Sequence, residues 1–124
     1  MEMKNQIAVV TGAAQGIGLA VATLLAQRGV RVAGWDIDAD IAAAMAGLND
    51  QCKGTAFKCD ITDYASVEAA YANTCDRMGT PTILVNSAGI AGPNAPVESY
   101  DLEAWHRVID INLNGTFYVN KICV

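Results

Sequence analysis

The sequence predicts an α/β fold: a doubly wound parallel sheet with helices on both faces, three layers in all, within one domain covering residues 1–124. Three observations carry this. Four short apolar runs alternate with longer segments of helical period, the signature of β-α-β units and hence of parallel strands. The chain is 52% hydrophobic and only 17% charged, with much of the apolar excess in alanine and valine, as suits strands buried on both faces. A glycine-rich turn separates the first run from the first helix.

The first strand is predicted over residues 6–10. The helix after it carries Ile17, Val21, Leu24 and Leu25 at i, i+4, i+7 and i+8, and Gly29 is placed to end it. A second strand spans 30–35, followed by an alanine-rich helix striped by Ile41, Met45 and Leu48. The third strand covers 55–59. Its helix is striped by Val67, Ala70, Tyr71, Thr74, Cys75 and Met78, with Thr62 or Asp63 as N-cap and Gly79 beyond the end. Pro81 breaks the chain before a fourth strand at 82–85. A loop at 87–98 precedes a last helix that starts near Asp101 and runs to the C-terminus. The expected strand order is 3-2-1-4, from right-handed crossovers, with a crevice between strands one and four. The final segment stops inside an apolar helical pattern without a cap, and a doubly wound sheet normally has more than four strands. Truncation after the fourth strand and the following helix is therefore expected.

Thirteen acidic against eight basic residues give a formal charge of −5, and no basic cluster offsets it, so no nucleic-acid partner is expected. No apolar run approaches the roughly 20 residues that span a bilayer, so no membrane partner is expected either. The first residues enter a strand directly, which leaves no room for a leader; a cytoplasmic location is the expectation. Cys52, Cys59, Cys75 and Cys123 form no C-x-x-C pair and no zinc spacing, so they read as free thiols and no metal site is expected. His106, the single histidine, reads as a surface or interface residue. Trp35, Phe57, Phe117 and Tyr118 read as core or interface.

The turn itself is Thr11-Gly12-Ala13-Ala14-Gln15-Gly16-Ile17-Gly18. Glycines there admit positive φ and close approach of backbone to a ligand, and a helix start offers free N–H groups and a positive dipole end to an anion. A glycine-rich turn without ligand is the plain alternative. Lying between a strand and a helix, these residues point to a Rossmann-type site for the pyrophosphate of a dinucleotide. Asp36, twenty positions after Gly16, ends the second strand where a carboxylate meets the adenosine ribose, unless it merely caps the next helix. Gln15 and Ile37 carry no charge where a 2′-phosphate would want a cation, so NAD is favoured over NADP.

With these residues in hand, the chain resembles the short-chain dehydrogenase/reductase family over essentially its whole length. The turn has the family's T-G-x-x-x-G-x-G spacing. Cys59-Asp60-Ile61-Thr62 resembles the segment in which an Asp and the next backbone group, here Asp60 and Ile61, hold the adenine. Asn86-Ser87-Ala88-Gly89 resembles the N-N-A-G motif, with Ser87 replacing the second Asn, and implies Asn86, Ala88 and Gly89 at the cofactor site. Asp60 and Asn86 also have ordinary readings as residues that satisfy turn and backbone groups.

Asp110-Ile111-Asn112-Leu113-Asn114-Gly115 resembles the helix whose Asn belongs to the catalytic tetrad, which implies a proton-relay role for Asn112. Three residues from Ile109 and seven from Trp105, Asn112 is expected on the apolar stripe, where a buried amide without partners would cost about 1–3 kcal/mol; a purely structural Asn is the alternative.

The resemblance implies an NAD-dependent oxidoreductase that interconverts a secondary alcohol and a ketone, working as a homo-oligomer on a small molecule. A 3-oxoacyl or 3-hydroxyacyl compound, a polyol or sugar, and a steroid-like alcohol all remain open as substrate, with residues 92–97 as one wall of its pocket. The family's Tyr-x-x-x-Lys pair is not in the sequence: Tyr64, Tyr71, Tyr100 and Tyr118 are followed at that offset by Glu68, Cys75, Ala104 and Ile122. The strand carrying the family's Ser is absent too, so the 124 residues alone are expected to be inactive. A non-catalytic dinucleotide-binding protein is the alternative reading of the same turn and Asp36.

Overall fold

A computed structural model describes residues 2–48 and 54–124. Four strands, β1 (Ile7–Thr11), β2 (Arg31–Asp36), β3 (Thr55–Lys58) and β4 (Ile83–Val85), alternate with helices α1 (Gly16–Gln27), α2 (Ile41–Ala46) and α3 (Tyr64–Met78). A 3-10 turn at Val97–Ser99 precedes α4 (Leu102–Ile109), which continues through a π-helical turn at Asp110–Gly115 into α5 (Thr116–Cys123). The strands are parallel in the order β3-β2-β1-β4, as the β-α alternation and right-handed crossovers predict. Their ends differ from the apolar runs by one residue: Thr11 still pairs with Trp35, and Asp36 with Lys58.

Every residue of β1 is buried, which explains its unbroken apolar run. Ala8 and Val10 pack with Val30, Val32 and the faces of α1 and α2, while Val9 packs on the other side with Ala33, Trp35, Phe57 and the faces of α3 and α5. These are the two interfaces of a three-layer α/β/α sandwich. Ile41, Met45 and Leu48 are buried as expected, and Met45 fills the space left by Gly34 and Gly54.

The helix punctuation follows the sequence closely. Asp63, not Thr62, caps α3: its carboxylate accepts the Ala65 N–H at 3.1 Å. Gly29 ends α1 at φ +82°, the left-handed conformation glycine adopts without a Cβ penalty. Asp101 caps α4 by accepting the Ala104 N–H at 2.9 Å.

The face of α1 is a correction. Ile17 and Leu24 are 78% and 56% exposed, and the buried residues are Gly18, Ala22, Leu25 and Ala26. Leu25 is buried as expected and Val21 packs half-buried against the same core, while at the start of the helix it is Gly18, lying directly against the Gly12 carbonyl, that holds the chain close to β1. Cys59 is buried and Cys75 and Cys123 are half-buried, all as free thiols; Cys52 lies outside the described residues.

Candidate dinucleotide site

The carboxyl ends of the strands open into a cleft of about 660 Å³. Its floor is set by the contact between the β1 and β4 ends. Thr11 Oγ1 accepts the Ser87 and Ala88 N–H groups, each at 3.1 Å, and ties the β4 loop to the glycine turn. Gly12, at φ +65°, faces the same backbone; an added Cβ would lie 2.8 Å from Ala88 Cα. At Gly18 an added Cβ would strike the Gly12 carbonyl oxygen. These two glycines serve internal packing.

Gly16 differs. It also has positive φ, +61°, but a Cβ there would meet nothing within 4 Å, so its backbone borders open cleft. The helix that starts at Gly16 has neither a side-chain cap nor an acidic residue in its first turn. Gly16, Ile17 and Gly18 all line the cleft. Uncapped first-turn amides at the positive end of a 12-residue helix fit an anionic group such as a pyrophosphate.

Asp36 stands beside that turn. Its Oδ2 accepts the Ala14 N–H and its Oδ1 the Asp38 N–H, both at 3.0 Å. Each oxygen keeps further acceptor capacity, as ribose hydroxyls require. Ile37 and Asp38 continue the wall, the former 59% exposed. At the end of β3, Asp60 Oδ1 accepts from the Thr62 N–H at 3.0 Å and the Thr62 hydroxyl at 2.7 Å, fixing the turn so that Asp60, Ile61 and Thr62 line the cleft. Cys59 lies behind them; burial pushes its thiol pKa up to about 11, so it stays a neutral packing group.

At the end of β4, Ala88 and Gly89 line the cleft while Asn86 does not: its Nδ2 donates to Asn120 Oδ1 at 3.0 Å, tying the strand end to α5. Asn112 is also displaced from expectation. It is exposed, and so is Trp105 on the stripe it was expected to share, 53% exposed, so this helix face is not covered here. Its amide is nonetheless engaged at both ends. Nδ2 donates to the Ile90 carbonyl at 2.7 Å and Oδ1 accepts the Ile90 N–H at 2.9 Å. Asn112 thus holds the segment whose Gly89 and Ile90 form the cleft wall, without lining the cleft itself. Of the expected cofactor residues, all but Asn86 border this one cleft.

The TM-score of 0.90 to an actinorhodin polyketide ketoreductase variant solved with NADPH, at 30% identity and covering 99% of this chain and 47% of that one, fixes the same architecture around the glycine turn. The family model for short chain dehydrogenase matches residues 6–124. The chain belongs to the short chain dehydrogenase family.

Among curated relatives in this family, D-threitol dehydrogenase of Mycolicibacterium smegmatis is 43% identical over 117 residues, which are 93% of this chain and 45% of that protein. A 2-dehydro-3-deoxy-L-rhamnonate dehydrogenase (NAD(+)) of a Sphingomonas species is 41% identical over 117 residues, 94% of this chain and 46% of that one. The chain thus spans about half the length of the curated relatives it matches.

Sequence reasoning missed several cleft residues of this short chain dehydrogenase domain. Asp38 is two positions beyond Asp36. Arg107, Asp110 and Ile111 line the cleft from α4 and the π-helical turn. Their i, i+3, i+4 spacing, next to Asn112, was the available signal. Among the described residues no helix is long and apolar enough to cross a membrane, and no group of three His, Cys, Asp or Glu residues could hold a metal ion.

Proposed function

We propose that this chain is the cofactor-binding half of an NAD-dependent oxidoreductase that interconverts a secondary alcohol and a ketone. The observation that carries the reading is Asp36, with one backbone N–H on each carboxylate oxygen, standing beside uncapped amides at the start of α1. In this reading the amides of Gly16, Ile17 and Gly18 hold the pyrophosphate, and Asp36 accepts the adenosine ribose hydroxyls. Asp60 and Ile61 border the adenine, while Gly89 and Ile90, held by Asn112, support the nicotinamide side. Bound there, the nicotinamide ring supplies the hydride acceptor or donor.

NAD is favoured over NADP because a 2′-phosphate beside Asp36 would meet a second carboxylate, Asp38, and no cation from Gln15 or Ile37. One relative is named for NAD(+) and one similar structure holds NADPH, so the preference rests on these side chains. The names of the two curated relatives favour a polyhydroxylated, sugar-derived substrate over the acyl and steroid alternatives. In this reading the working enzyme is a homo-oligomeric cytoplasmic protein in which a Tyr-x-x-x-Lys pair, not found among these 124 residues, moves the proton, with Asn112 as the contribution of this half. The same lack favours, as the second reading, a dinucleotide-binding protein without catalysis.

Titrating NAD and NADP against the whole protein tests the proposal. NAD is expected to bind more tightly, and Asp36→Ala is expected to weaken NAD on the order of tenfold or more, the loss of hydrogen bonds to a charged acceptor. Equal affinities in the unmutated protein would overturn the NAD assignment.

A further inference from the structure

We propose that Arg107 is the cationic contact for the adenosine-diphosphate half of the dinucleotide, an inference that rests on the dinucleotide reading above. The cleft is acidic: Asp36, Asp38, Asp60 and Asp110 all line it. Arg107 is the one lysine or arginine among the described residues that do. The ligand it must admit is itself an anion, and the start of α1 offers only about half a positive charge, at one end of the cleft. A formal cation on the wall offsets part of the remainder, and Arg107 is one.

Its position suits that role. Arg107, Asp110 and Ile111 share a helix face, and that face borders the cleft. A turn farther on, Gly115 is packed so closely on Ile61 that an added Cβ would lie 2.7 Å from its Cδ1. This contact anchors the helix beside the end of β3, where Asp60, Ile61 and Thr62 form the wall. The end of β3 lies next to Asp36 in the sheet, so Arg107 belongs to the adenosine side.

The guanidinium is also available. Arg107 is exposed, and among the described residues its guanidinium makes no hydrogen bond or ion pair, not even with the carboxylate of Asp110 three positions on, which accepts from Asn114. Arginine offers a planar face to a purine and forked donors to a phosphate, so either portion of ADP satisfies it.

The test is calorimetric titration of ADP and NAD against the whole protein and its Arg107→Gln and Arg107→Lys variants, with thermal unfolding measured alongside. Arg107→Gln is expected to weaken ADP and NAD by the same factor, about two- to fivefold for an exposed cation, with no change in unfolding temperature. Arg107→Lys should recover part of the loss, and the difference should shrink as salt is raised. Unchanged ADP affinity in Arg107→Gln, beside normal binding by the unmutated protein, overturns this assignment alone. Failure of the unmutated protein to bind either ligand overturns the dinucleotide reading and the assignment with it.

Discussion

Gly18 and Gly16 sit two residues apart in one turn and answer to different constraints. At Gly18 a methyl group would strike the Gly12 carbonyl oxygen, which can move only by reopening the turn against β1. Gly18→Ala is therefore expected to lower stability by about 1–3 kcal/mol, the usual cost of overpacking. At Gly16 the space is open and the penalty is confined to its φ of +61°, about 1 kcal/mol for a non-glycine residue. Gly16→Ala should thus fold well but bind NAD poorly, its methyl group standing where, in the proposed reading, the pyrophosphate approaches. Urea unfolding midpoints and NAD titrations on the two variants separate these effects. A larger loss of stability in Gly16→Ala than in Gly18→Ala would contradict the division of roles.

Between β2 and α3, the Trp35 indole Nε1 donates to Thr74 Oγ1 at 3.0 Å, and that hydroxyl donates to the Ala70 carbonyl at 2.7 Å. Both side chains are fully buried. Thr74→Val, nearly the same shape, leaves the indole N–H without a partner and should cost about 1–3 kcal/mol, whereas Thr74→Ser keeps the hydroxyl and loses only about 0.8 kcal/mol of methyl burial. Denaturant unfolding of both variants checks the order.

The same layer holds Cys59 and Cys123, each pushed by burial to a pKa of about 11 from an ordinary 9. The folded protein keeps these protons where the unfolded chain has released them, so their contribution to stability is full below pH 9 and lost as pH rises from 9 to 11. Unfolding midpoints of the protein and of Cys59→Ala over that interval should show a shallower decline in the variant. Strands, caps and sheet order were legible in the sequence because periodicity, Asp63, Asp101 and Gly29 act locally. The inward face of α1 was legible only in part: Leu25 and Val21 face the core, but close approach at Gly18 leaves Ile17 and Leu24 outside. The exposure of Asn112 and the cleft-facing position of Arg107 were not legible, since hydrophobic spacing marks a helix face without telling what covers it.

On the scale of the whole molecule, apolar surface is unevenly covered. Leu102, Trp105, Leu113 and Phe117 are 73%, 53%, 62% and 58% exposed along α4, the π-helical turn and α5. Among the described residues β4 pairs with β1 alone and forms an edge of the sheet, with backbone donors and acceptors on its other side. Exposed apolar side chains and strand edges of this kind mark an interface or a liability to aggregate. The 124-residue polypeptide expressed by itself is expected to self-associate in sedimentation and to bind hydrophobic dyes. It should also fail to reduce NAD with a panel of secondary alcohols. A monodisperse monomer that unfolds cooperatively would refute the first expectation, and turnover by it the second.

The π-helical turn at Asp110–Gly115 also works as an angular offset between two halves of one rod. Each residue of an α-helix advances the screw by about 100°, so one residue more or fewer in this stretch indexes α4 against α5 by that angle. With α5 held by Val119 in the core and Gly115 against Ile61, the rotation would fall on α4, swinging Arg107 out of the cleft. What the stretch must preserve is therefore a residue count more than a composition. Deleting Leu113 would leave a continuous helix yet misaim one wall of the site, a defect that replacing Leu113 with any helix-forming side chain would not produce.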